Sequence, residues 1–244
     1  MKYLVWANFK MNKTSKELNE YLNYFIWKYS CFTNVDLVLA PVTASLSWIS
    51  EIINKSCLNL CAQNMHFDNF WAYTWEVSWE MLKELWCKYV IIWHSERREM
   101  FWETNQIINK KIMSALKNWI RPILCIWETL EQKELQLSKE VLKIQIFEWL
   151  KWIEDWWQID VAYEPVWAIW TWKTATLEYI QDIHWFIKEL IWNEKTRIIY
   201  GWSVKEENSK ELISIPNVNW FLIWSASLNP ETFLNIIKNI PQKL

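Results

Sequence analysis

A small set of polar residues in this chain has the types and spacing for proton-transfer chemistry. Asn8 and Lys10 stand two apart in Ala7-Asn8-Phe9-Lys10-Met11-Asn12, so an extended backbone turns both to one side. A lysine there offers a fixed positive charge to an anion or a developing oxyanion. His94-Ser95-Glu96-Arg97-Arg98 follows the apolar Val90-Ile91-Ile92. Glu164 ends the run Ile159–Tyr163 and is followed at once by Pro165, which stops a strand. A carboxylate in a closed, dry pocket gains basicity by desolvation. Each feature taken singly has a plainer reading: a surface lysine, a buried structural histidine, a carboxylate in an ion pair. A Ser–His nucleophile pair does not follow from Ser95, because sequence neighbours point apart and no nucleophile elbow is present. His66 and His184 lie in no comparable setting, and three scattered histidines build no metal triad.

Such residues act together only if a scaffold brings them together. Eight short apolar runs cross the chain: Tyr3–Ala7, Leu37–Ala40, Leu58–Ala62, Tyr89–Ile92, Pro122–Ile126, Val161–Tyr163, Arg197–Tyr200 and Phe221–Ile223. Helical patterns separate them at Ser15–Tyr29, Trp79–Leu85, Thr104–Lys117, Ser138–Ile153, Thr176–Ile191, Val204–Ile213 and Pro230–Ile237, with Ser138 and Thr176 as expected N-caps. The alternation predicts a parallel sheet. Eight such units in 244 residues predict an α/β fold, one (β/α)8 barrel domain over 1–244. An open doubly wound sheet needs a Gly-rich first turn, which Ala7–Asn12 is not. In a parallel barrel, chemistry sits at the strands' C-terminal ends. That rim collects Asn8 and Lys10, Gln63 and Asn64, His94, Ser95 and Glu96, then Glu128, Glu164, Ser203 and Ser225. Three carboxylates, one histidine and one lysine on one rim point to acid–base work without a metal.

The composition is abnormal. The chain has 23 Trp and one Gly, where about seventeen glycines are ordinary for this length. The tryptophans recur where turns need glycine, as in Ile92-Trp93-His94, Ile126-Trp127-Glu128, Gly201-Trp202-Ser203 and Ile223-Trp224-Ser225. Reading every Trp but Trp167 as Gly restores an ordinary content of about 9%. A single codon, UGA, translated here as Trp and read as Gly by the source organism, accounts for the pattern. The pair Trp156-Trp157 fits either residue. The formal charge of −2 implies no attraction to nucleic acid or a membrane surface. Five cysteines, at 31, 57, 61, 87 and 125, have no metal-type spacing and read as reduced thiols of a cytoplasmic protein. Met1–Asn12 has no signal-peptide core.

With glycine at Trp170 and Trp172, the segment after Glu164-Pro165-Val166-Trp167-Ala168 reads Ile-Gly-Thr-Gly-Lys, a lid able to close on an anion. The chain then resembles the triosephosphate isomerase family from end to end. Asn8–Asn12 resembles its first loop, His94–Arg98 its electrophile loop, and Ala162–Lys173 its base and lid. Tyr200–Ser203 and Ile223–Ser227 resemble its two phosphate loops, and Trp71–Glu76 its protruding third loop. The resemblance implies a cofactor-free isomerase of triose phosphates in glycolysis and gluconeogenesis, acting through an enediolate. It implies Glu164 as base, His94 as neutral electrophile, and Lys10 and Asn8 as enediolate stabilisers. Ser95, Glu96 and Cys125 would support them. Trp170, Trp202, Ser203, Trp224 and Ser225 would line the phosphate site, where an indole as written would block the backbone, so the literal chain is expected to be a poor enzyme. Ser225 stands where many members have a second Gly. Thr74, Gln63, Asn64 and Arg97 would belong to a homodimer interface. A barrel that only binds sugar phosphates is the rival reading. Were Trp167 also Gly, residues 167–174 would match a P-loop, but after the sixth strand rather than the first.

Overall fold

Alternating side-chain direction explains how one short strand serves two cores. In β1 (Tyr3–Asn8), Leu4 and Trp6 join one buried cluster while Val5 and Ala7 join another. The same split runs through β2 (Val35–Ala40), β3 (Leu58–Ala62), β4 (Cys87–Ile92), β5 (Arg121–Trp127), β6 (Asp160–Glu164), β7 (Arg197–Tyr200) and β8 (Trp220–Ile223). All pair in parallel and in sequence order, and β1 pairs with β8, closing the barrel. The smaller cluster fills the interior with Val38, Ile91, Ile123, Cys125, Ala162, Ile199 and Leu222, and the larger one lies between strands and helices. This computed structural model describes residues 2–154, 156–168, 175–193, 195–201, 204–218 and 220–241, without the side chains of Trp156 and Trp220.

The helices are α1 (Ser15–Lys28), α2 (Thr43–Asn54), α3 (Trp79–Glu84), α4 (Ser95–Phe101), α5 (Asn105–Lys117), α6 (Leu130–Glu134), α7 (Ser138–Trp149), α8 (Leu177–Ile191), α9 (Glu206–Leu212) and α10 (Pro230–Lys238). In α1, Leu18, Tyr21, Leu22 and Phe25 form the buried stripe, and Thr14 with Glu17 makes a capping box. Thr176 caps α8 as expected, through Tyr179 N. Ser138 does not cap α7. Leu137 holds that position, and the Ser138 hydroxyl instead donates to Tyr179 Oη at 3.0 Å, since the phenol's one proton goes to Glu128. Helices α2, α4 and α6 were not expected. Serines interrupt the apolar stripe of α2, and α4 and α6 are too short to show a period.

The five-thiol expectation fails for two residues. Cys31, before β2, and Cys57, before β3, are joined by a disulfide with Cα atoms 6.0 Å apart. Strand adjacency brings these two turns side by side, which spacing in the chain does not reveal. Cys61, Cys87 and Cys125 are free and buried. No helix among the described residues is long and apolar enough to cross a membrane.

Candidate active site

The rim opens at Asn8, the last residue of β1, 3% exposed and on the interior side set by Leu4 and Trp6. Its Oδ1 accepts from Lys10 N at 3.0 Å. Lys10 holds a left-handed backbone with φ 49°, uncommon for a residue with a side chain. Gln63, just past β3, steadies this turn by donating to Lys10 O and Ala40 O, each at 2.9 Å. The Lys10 ammonium pairs with Glu96 Oε1 at 2.7 Å and stands 4.3 Å from the centre of the Trp224 ring.

His94 ends the turn after β4 and caps α4 with its side chain, Nδ1 accepting from Glu96 N at 3.3 Å. Glu96 Oε2 is also 3.4 Å from Nδ1. One nitrogen cannot accept from an amide and donate to a carboxylate at once. The helix amide has no other side-chain acceptor, so we assign the lone pair to Nδ1 and the proton to Nε2. That Nε2 faces Glu164 Oε1 at 3.7 Å. Glu164, at the end of β6, is 3% exposed. Ser95 Oγ donates to its Oε2 at 3.4 Å, while Oε1 takes no hydrogen bond from any described residue. Cys125 lies against the carboxylate from β5. Burial first, and then the Glu164 charge, push its thiol well above the usual range. Gly201, after β7, makes room for the base: a Cβ there would lie 2.9 Å from Glu164 Cγ and 3.2 Å from Tyr163 O.

A second carboxylate serves differently. Glu128, past β5, is fully buried, and its Oε1 accepts from Trp167 Nε1 at 2.7 Å, Tyr163 at 2.8 Å and Tyr179 at 2.9 Å. Burial raises its pKa although all three donors pull it down. This node ties the chain just past Pro165 to β6 and α8. Glu128 was visible as a rim residue, but its partners were not, because they come from three elements.

Ser225 is exposed and opens a short 3-10 turn, Ser225–Leu228, directly after Trp224. Trp170, Trp202 and Ser203, with the lid expected through Lys173, lie outside the described residues. Of the four expected interface residues, Thr74 is exposed and Gln63 braces Lys10. Asn64 accepts from Lys111 at 2.7 Å, and Lys111 and Arg97 both pair with Glu103 Oε1 at 2.7 Å. Glu103, in the turn between α4 and α5, and Lys111, on α5, were missed, since nothing in their settings marks them as a buried pair. Phe70, Trp71 and Trp75, from the loop before α3, are more than three-quarters exposed. No three His, Cys, Asp or Glu side chains among the described residues converge on a metal-sized space.

Residues 3–240 match the family model described as Triosephosphate isomerase. The triosephosphate isomerase of Mycoplasma mobile is 44% identical over 243 residues, covering 97% of this chain and 99% of that one. That of Aquifex aeolicus is 41% identical over 244 residues, with the same coverage. That of Carboxydothermus hydrogenoformans is 41% identical, covering 97% of this chain and 98% of its own. A closed eight-stranded parallel barrel, a carboxylate facing a histidine across its rim, and agreement along nearly the whole length place this chain in the triosephosphate isomerase family.

Proposed function

We propose that the chain interconverts dihydroxyacetone phosphate and D-glyceraldehyde 3-phosphate, with Glu164 as the base that moves the proton between adjacent carbons. The observation that carries this is the bare, buried Oε1 of Glu164 facing His94 Nε2. Oε1 takes a proton from the carbon beside the carbonyl. The electron pair moves through the new double bond onto the carbonyl oxygen, giving an enediolate. His94 Nε2–H donates to that oxygen and relays protons between the two oxygens. The Lys10 ammonium, held by Asn8 and Gln63 through its backbone, offsets the developing charge. Glu164 then returns its proton to the neighbouring carbon, so nothing is consumed. Ser95 orients the base, and Glu96 holds Lys10 until substrate enters.

Phosphate binding is assigned to the backbone around positions 170, 202–203 and 224–225. Lid closure over 165–173 would exclude water. The exposed Phe70 and Tyr73 of the loop before α3, together with the Asn64–Lys111–Glu103–Arg97 cluster, support a twofold homodimer. The resemblance, rather than any feature of the fold, supports a cytoplasmic glycolytic setting. The P-loop reading is disfavoured because Trp167 is itself buried and hydrogen-bonded. An isomerase assay on two proteins that both carry glycine at every Trp position but 167, one with Glu164 and one with Glu164→Asp, tests the base. Shortening the carboxylate by one methylene should cost about a hundred-fold in turnover. Equal turnover would remove Glu164 from its role and favour a barrel that only binds sugar phosphates.

A further inference from the structure

Backbone geometry separates the tryptophans into two kinds. Trp75, Trp86, Trp93, Trp102, Trp119, Trp152 and Trp192 all hold a positive φ, between 49° and 80°. The only other described residues there are Lys10, Lys13, Gln136 and Asn217. A Cβ in this region crowds the backbone, so glycine occupies it freely and bulky side chains rarely do. The placement is also that of glycine. Trp102 and Trp192 close α4 and α8 as left-handed caps, and Trp86, Trp119 and Trp152 follow the ends of α3, α5 and α7. No packing compensates. All but Trp93 are largely exposed, Trp75 at 95% and Trp192 at 93%.

The buried indoles supply an independent criterion. Trp6, Trp93, Trp127 and Trp149 are all but fully buried, yet their Nε1–H groups find no acceptor among the described residues. Buried donors in native proteins are nearly always paired. Trp167 is as deeply buried, has an ordinary backbone, and donates to Glu128 at 2.7 Å. At the site, the Trp224 ring covers the Lys10 ammonium that a substrate must reach.

We infer that in the natural protein glycine stands at 6, 75, 86, 93, 102, 119, 127, 149, 152, 192 and 224, and tryptophan at 167. Dihedral strain, orphaned donors and a covered lysine are three unlike faults, and one cause removes all three. A UGA codon differs from the tryptophan codon UGG in its last base and from the glycine codon GGA in its first, so a single change in a tRNA's reading converts the whole set. Trp27 and Trp48, exposed on α1 and α2, carry neither mark and are not assigned. At every position but 224 the inference rests on backbone and burial and stands whether or not Glu164 is the catalytic base; position 224 rests on the role proposed for Lys10.

Peptide mass mapping of the protein purified from the organism that encodes it is the test, read beside the gene's codons. Peptides spanning positions 102, 119, 152 and 192 should each be lighter by one indole side chain, with UGA at those codons. The peptide spanning 167 should keep its tryptophan, encoded by UGG. Intact tryptophan at the left-handed positions would overturn the inference, as would glycine at 167. A synthetic gene with glycine at the assigned positions should also give a protein that melts at higher temperature than the literal chain, and a lower melting temperature would count against the assignment.

Discussion

Asp160 and Glu164 stand on the same strand, face the same barrel interior and are almost equally buried, at 0% and 3% exposed. Their surroundings are opposite. Asp160, at the start of β6, is held by both Arg197 and Arg121, with Arg197 Nε at 2.6 Å and Arg121 Nε at 2.7 Å. Burial pulls its pKa up, but the charges and hydrogen bonds of Arg197 and Arg121 outweigh this and hold it below the usual range. Glu164, two pleat repeats further on, has one oxygen with no hydrogen-bond partner among the described residues. Three residues of strand thus separate a carboxylate saturated with donors from one with an open oxygen.

Removing each charge in turn should break this contrast most clearly. Glu164→Gln should lower turnover by about 10²–10⁴-fold, the usual worth of a general base. It should leave chemical stability unchanged or raised, and a turnover loss with parallel unfolding would erase the distinction. Asp160→Asn should do the reverse. Leaving two guanidinium groups facing a neutral amide costs about 3–5 kcal/mol in denaturant unfolding, while turnover of the folded fraction stays near the parent's.

Acid sharpens the same comparison. His184 on α8 is fully buried, its Nδ1 against Asn217 O at 3.1 Å and its Nε2 without a partner among the described residues. Burial lowers its pKa from 6.5 to about 4. The folded protein therefore keeps the ring neutral while the unfolded chain takes up a proton, so stability falls as pH drops from about 6.5 to about 4, by about 3 kcal/mol in all. His184→Asn should flatten urea midpoints across that window. Asp160, with its lowered pKa, contributes stability that is complete above the unfolded carboxyl pKa near 3.9 and is lost only as pH falls through its folded value. The smallest effect belongs to Gly201→Ala. Its new Cβ would press on Glu164 Cγ and on Leu222 at 3.1 Å. Overpacking of this kind costs about 1–3 kcal/mol, and here it should fall on turnover more than on the Asp160 end.

The position of the rim residues was legible because each follows an apolar run, and the common direction of parallel strands then puts Asn8, His94 and Glu164 at one end of the barrel. The ion cluster around Asp160 was not, although Arg121, Asp160 and Arg197 each open a strand. Three charges at three strand starts were a usable signal. Turning it into a cluster required knowing that β5, β6 and β7 are neighbours. The Glu128 node failed to show for a related reason, since its donors Tyr163, Trp167 and Tyr179 look like ordinary core aromatics until the acceptor is seen. Helix α2 escaped because Ser45 and Ser50 occupy buried positions that a hydrophobic pattern assigns to larger residues.

The Cys31–Cys57 bond gives the chain a topology that the barrel alone does not have. Residues 31–57, carrying β2 and α2, form a covalent ring through which the backbone enters and leaves at neighbouring points. A protease that cuts once inside this ring produces two pieces that stay linked. They run as one species on a denaturing gel until a thiol is added. A cut anywhere outside the ring releases a fragment at once, so the order in which fragments appear with and without reductant maps which loops of the barrel open first.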